Sequence, residues 1–123
     1  MSGTKIWVLL TISLLLNAGA NISLKAGMKA VPNNGNLLHV STLQLFLQNP
    51  LILLGLLLFG ISFIGYSLVL SWLSLSVAYP VMTGGGFVVV ILASALFFSE
   101  QISLLRILGI VLIAIGIWFA SRF

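Results

Sequence analysis

Ala78-Tyr-Pro-Val-Met-Thr-Gly-Gly-Gly86 sets a proline and three consecutive glycines inside an apolar run that continues to Phe98. Pro80 removes a backbone donor, and Gly84, Gly85 and Gly86 remove the side chains that hold a neighbour at normal distance. In water such a segment breaks as a helix. In a bilayer, where the backbone has no other hydrogen-bond partner, it stays helical. These four residues are therefore expected to bend the helix and to admit a close neighbour, either a packed helix or the edge of a substrate cavity.

The rest of the chain agrees with a bilayer as its solvent. Of 123 residues, 61% are hydrophobic and 5% charged, and the mean hydropathy of +1.30 excludes an ordinary soluble domain. The net charge of +4 comes from five basic residues spread among apolar segments. They make no nucleic-acid patch and belong instead to membrane edges or to an anionic ligand. The absence of cysteine removes disulfides, thiol catalysis and zinc ribbons, and no grouping of residues points to a metal or another cofactor.

Apolar runs cover residues 6–24, 50–73, 77–98 and 104–119, each close to the roughly 20 residues that cross a hydrocarbon core. The expected fold is all-α: one domain, 1–123, with four transmembrane helices at about 5–29, 49–73, 77–98 and 103–121. The first run also has features of a signal peptide, with Lys5 ahead of it and Ala18-Gly19-Ala20 as a small-x-small site. Apolar character resumes beyond that site, which favours a retained helix. Residues 32–36 form a turn cluster, and residues 39–48 a short interfacial helix. His39 stands there without a second ligand or acid partner, which speaks against catalysis. Asn49-Pro50 marks a helix start, with a capping side chain before a proline at the first helical position. Residues 74–76 are read as a tight turn, and Ser103 as a cap for the last helix. Glu100, the one acidic residue, is expected beside Arg106.

In the first span, Ser13, Asn17, Asn21, Lys25 and Lys29 recur every four residues, about 40° apart on a winding row. A polar row inside a membrane helix faces protein or a water-filled cavity, and Asn17 falls near mid-membrane. In the second span, Phe59, Phe63 and Tyr66 share a face, either as packing or as a cavity wall.

The fourth span carries Gly109 and Gly116 seven residues apart on one face, a spacing suited to close helix contact. With Ser76-Val-Ala-Tyr-Pro80, Ser99-Glu100 and the Asn-Pro opening of the second span, the chain resembles the small multidrug resistance and EamA branch of the drug/metabolite transporter superfamily. The resemblance implies a four-helix protomer in the bacterial cytoplasmic membrane that works as a dimer. Gly109 and Gly116 would lie at the contact, with the first three spans lining a shared cavity. It also implies a transporter and not an enzyme. The partner would be a second copy, in some cases antiparallel, or a paralogous four-helix subunit.

Drug and guanidinium exporters of this kind use a glutamate in the first span, and the matching position here is Asn17. Asparagine neither titrates nor offsets a buried cation. The aromatic residue expected three positions after the tyrosine of the third span is Met82 here, which removes a cation-stacking wall. Both departures favour an anionic amphiphile, and the resemblance is closest to the aminoarabinose-phosphoundecaprenol flippase subunits. A polyprenyl-phosphate-linked sugar would place its phosphate on Lys25, Lys29 or Arg106. Its head would meet Asn17, Asn21, Tyr79 and Thr83, with Phe63 and Tyr66 alongside, while its tail stays in membrane lipid. Two alternatives stand beside this: an exporter of small or drug-like molecules, and a non-transporting accessory subunit that grips a partner helix.

Overall fold

A computed structural model describes residues 3–29, 31 and 40–122. The turn cluster at 32–36 and His39 lie outside them. Five helices follow in order: α1 Gly3–Met28, α2 Val40–Gln48, α3 Pro50–Leu70, α4 Leu75–Phe97 and α5 Leu104–Arg122. The four long ones are apolar enough to cross a membrane. Even α5, with 19 residues, spans about 28 Å at 1.5 Å per residue, close to the thickness of a hydrocarbon core.

Local chemistry sets the helix ends. The Leu51 amide donates to Asn49 Oδ1 at 2.9 Å, which caps α3 ahead of Pro50. At the other end, the Ser71 hydroxyl donates to the Leu68 carbonyl at 2.6 Å, and α3 stops. The turn to α4 therefore occupies residues 71–74, slightly earlier than the serines at 74–76 that the sequence pointed to. Ser103 Oγ accepts from the Arg106 amide at 3.2 Å and starts α5. Helix α4 runs unbroken through Pro80. That proline stands only six residues into the helix, so one hydrogen bond is lost in a turn close to the end.

Helices α1 and α3 form the main packing unit, an antiparallel pair held by small residues. Ser13, Ala20 and Gly27 are buried at intervals of seven on α1, and Gly55, Ser62 and Val69 are buried at the same interval on α3. A repeat of seven keeps one seam facing its neighbour, and small residues let the two backbones approach. A methyl group placed on Gly55 would stand 3.0 Å from the Ala20 carbonyl oxygen, and one on Gly27 would stand 2.9 Å from the Ile52 nitrogen. Two hydrogen bonds fasten the seam: the buried Ser62 hydroxyl donates to the Ser13 carbonyl at 2.8 Å, and the Asn49 amide donates to the Gly27 carbonyl at 2.9 Å.

Helix α4 leans on α1, and a core of Ile6, Leu10, Val69, Ala78 and Met82 fills the meeting point of the three helices. The glycine run divides its neighbours. Gly84 receives Ile117 of α5, Gly85 stands 3.3 Å (by its would-be Cβ) from Leu14 of α1, and Gly86 faces Asn17. Helix α5 touches α4 and has no buried residue.

Candidate functional site

Two pockets contain the middle of the polar row of α1, Asn17, Asn21 and Lys25, while Ser13 is buried in the α1–α3 seam. The first is a groove of about 490 Å³ between α1, α3 and α4, lined by Asn17, Phe59, Ser62, Phe63, Tyr66, Tyr79, Met82 and Thr83, with Leu56 and Gly60 completing the wall. Each side chain arrives there for a local reason. Tyr79 and Thr83 are one turn apart on α4, and the Thr83 hydroxyl donates to the Tyr79 carbonyl at 2.8 Å. That bond leaves the lone pairs of the hydroxyl available as acceptors. Phe59, Ser62, Phe63 and Tyr66 follow the three-and-four spacing of one face of α3.

Asn17 closes the groove on the α1 side. Its side-chain oxygen accepts from the Asn21 amide at 3.2 Å, and the same amide donates to the Asn17 carbonyl at 2.9 Å. Asn17 keeps its own amide hydrogens free to donate. The Tyr66 hydroxyl is buried and has no hydrogen-bond partner, the one such side-chain atom among the described residues. Leaving a buried hydroxyl unpaired costs on the order of 1–3 kcal/mol. A polar ligand that reaches this hydroxyl can supply the partner the protein itself does not.

The second pocket, about 300 Å³, lies toward the far end of α1 and is lined by Asn21, Ile22, Lys25, Val90, Ile91, Ser94, Phe98 and Glu100. Lys25 Nζ stands 3.8 Å from Glu100 Oε1, so the carboxylate pairs with Lys25 and not with Arg106. Lys29 lies 4.2 Å above the Phe98 ring. Arg106 is exposed at the start of α5, and neither it nor Lys29 lines either pocket.

The structure thus brings Asn17, Phe63, Tyr66, Tyr79 and Thr83 together in one groove. Asn21 and Lys25 fall in the neighbouring pocket, joined to the groove through the Asn17–Asn21 hydrogen bond. Pro80 and the glycines at 84–86 lie on α4 as expected, with Gly84 serving contact with α5 and Gly85 contact with α1. No atom lies within 4 Å of a methyl group placed on Gly109 or Gly116, so this face of α5 is open within the protomer. Sequence reasoning did not single out Ser62, Ser94 or the pairing of Lys25 with Glu100. For Ser62 a signal was present, the interval of seven that it shares with Gly55. Ser94 and Glu100 gave none, since their roles arise from the turn after α4. Among the described residues no group of three His, Asp, Glu or Cys side chains is placed to hold a metal ion.

Residues 36–113 match the family described as Small Multidrug Resistance protein, a stretch that reaches from before α2 into α5 and leaves out α1. The chain is also 34% identical over 102 residues to uncharacterized protein y4nH of Sinorhizobium fredii (strain NBRC 101917 / NGR234), covering 83% of this chain and 82% of that relative.

Proposed function

This chain belongs to the small multidrug resistance family, so it is a multi-pass membrane transporter and not an enzyme; we propose that it exports small, drug-like amphiphiles with an uncharged polar head across a bacterial cytoplasmic membrane. The solute would enter the groove between α1, α3 and α4. There Asn17 donates to it, Thr83 accepts from it, Tyr66 and Tyr79 bond its head, and Phe59 and Phe63 cover its apolar part. The observation that carries this reading is the unpaired Tyr66 hydroxyl in a groove wall that otherwise offers neutral polar and aromatic groups. No ionised side chain lines the groove, so the head it suits is neutral, and proton exchange has no carboxylate there to run on.

A polyprenyl-phosphate-linked sugar is the second reading, favoured by the lack of any acidic residue in the spans. It is weakened by the positions of the cations, since none lines the groove: Lys25 lies in the neighbouring pocket and Lys29 over Phe98. In either case the working unit is proposed to be a dimer, because family members assemble as dimers and a single protomer leaves the groove open on one side.

Transport into proteoliposomes tests the choice, with neutral amphiphiles, quaternary ammonium ions and a short-chain polyprenyl phosphosugar as solutes. Neutral solutes should move, at a rate unaffected by an imposed pH gradient. Tyr66→Phe should weaken binding of the neutral solute about two- to tenfold, the worth of one neutral hydrogen bond. The same change should leave the thermal stability of the ligand-free protein undiminished, because no protein group bonds that hydroxyl. Proton-driven export of the quaternary ammonium would refute the proposal, and preferential transport of the phosphosugar would replace it with the second reading.

A further inference from the structure

The pocket at the end of α1 holds the chain's one carboxylate against a lysine, and its geometry is that of a site waiting for two charges at once. We infer that it binds a zwitterionic headgroup, a phosphate joined to an ammonium by a short linker as in phosphoethanolamine. At 3.8 Å the Lys25–Glu100 pair is longer than the roughly 2.7–2.9 Å of a charge-assisted hydrogen bond. Both side chains are about half exposed, at 57% and 43%, so each can turn to a new partner at little loss. A ligand with a single charge would satisfy one of them and strip the other of its counter-ion. A phosphate on Lys25 and an ammonium on Glu100 would satisfy both, replacing one long contact by two short ones.

The lining supports the same ligand. Ser94 donates its hydroxyl to the Ile91 carbonyl at 2.9 Å, which leaves its lone pairs to accept from an ammonium. Ile22, Val90 and Ile91 give an apolar wall for the linker, and about 300 Å³ is the size of a headgroup and not of a whole lipid. Lys29 over Phe98 keeps a further positive charge at the rim.

The backbone is also committed to the arrangement. Ser99 has φ 52°, a left-handed conformation that costs a residue with a side chain. This turn lets the Glu100 amide donate to the Ser94 carbonyl at 3.3 Å and brings the Glu100 carboxylate over to α1. Strained positions of this kind persist where the surroundings hold them, often beside a ligand. The pocket lies toward the ends of α1 and α4, where helices of spanning length come out of the hydrocarbon core. It would bind its headgroup whichever solute crosses the groove.

The purified protein in maltoside micelles, titrated by calorimetry, decides the matter with four probes: free phosphoethanolamine, a short-chain phosphatidylethanolamine, a short-chain phosphatidylglycerol and ethanolamine. The zwitterions should bind at least about tenfold more tightly than the singly charged probes, with Glu100→Gln and Lys25→Met each removing that advantage. The exchanged pair Lys25→Glu with Glu100→Lys should restore it, and circular dichroism should show every variant folded, since both side chains are exposed. Binding of both zwitterions assigns the site to the free headgroup chemistry, and binding of the lipid form alone assigns it to a membrane phospholipid. Equal binding of phosphatidylglycerol and phosphatidylethanolamine would overturn the inference. So would zwitterion affinity unchanged by Glu100→Gln, or no zwitterion binding at all.

Discussion

Gly27→Ala tests whether the α1–α3 seam carries the fold. A methyl group there would stand 2.6 Å from Ile52 Cγ1, 3.2 Å from Leu51 Cβ and 2.9 Å from the Ile52 backbone nitrogen. A side-chain tip could swing away, but the backbone nitrogen moves only if the first turn of α3 moves with it. That turn is also tied to α1 by the Asn49 amide, which donates to the Gly27 carbonyl at 2.9 Å, so relief of the clash stretches this bond. Forcing a methylene-sized group into a packed interface costs about 1–3 kcal/mol, and losing the hydrogen bond adds about 0.5–1.5 kcal/mol. Alanine returns up to about 1 kcal/mol through its greater helix preference. With the full return from alanine, the net expectation is a loss of about 0.5–3.5 kcal/mol. Reversible unfolding in mixed micelles, followed by circular dichroism as denaturing detergent is raised, measures it. Gly60→Ala is the control, because nothing lies within 4 Å of a methyl group there, and its stability should hold or rise slightly. Equal stabilities of the two variants would refute the reasoning, since the same residue change would then ignore a buried seam.

Gly109→Leu or Gly116→Leu should separate dimers in mild detergent while leaving the unfolding of the protomer unchanged, because among the described residues no atom of another helix lies within 4 Å of a methyl group placed on either glycine; size-exclusion chromatography with light scattering reads the outcome, and a dimer that survives both changes removes this face as the contact. Orientation should be weakly specified, with Lys5 and Arg122 on the side of the termini against Lys25, Lys29 and Arg106 on the other. Reporter fusions at the C-terminus should give signal from both sides of the membrane, and one added lysine beside Ser74 should shift the ratio; signal from one side alone, unmoved by that lysine, would count against it.

The four spans were legible because a bilayer demands about 20 apolar residues wherever a helix crosses it, and the chain meets that demand four times. The Asn49-Pro50 start was equally legible, as capping depends on neighbours in sequence. The second role of Asn49 was not, for its amide reaches the Gly27 carbonyl across a gap in sequence that no local rule measures. The glycines at 84–86 show the same boundary. Their lack of side chains announced close approach, but which helix approaches each one depends on rotation of α4 against its neighbours. In a membrane that rotation leaves a weak trace, since lipid-facing and core-facing positions are both apolar. The small residues repeated every seven on α1 and α3 are the trace that survives.

The polar row on α1 was easier to see than to interpret. Its spacing of four placed Asn17, Asn21 and Lys25 on one winding stripe, and the structure divides that stripe between two pockets at the Asn17–Asn21 hydrogen bond. The division comes from α4, which presents Tyr79, Met82 and Thr83 to the first pocket and Val90, Ile91 and Ser94 to the second. Pairing Glu100 with Arg106 was reasonable on sequence distance, six residues apart across a helix start. The left-handed turn at Ser99 sends the carboxylate back toward α1 instead. One backbone angle at a single serine thus decides which base meets the only acid. With that acid on Lys25, the one ion pair among the described residues sits toward the end of α1, and the groove is left to neutral chemistry.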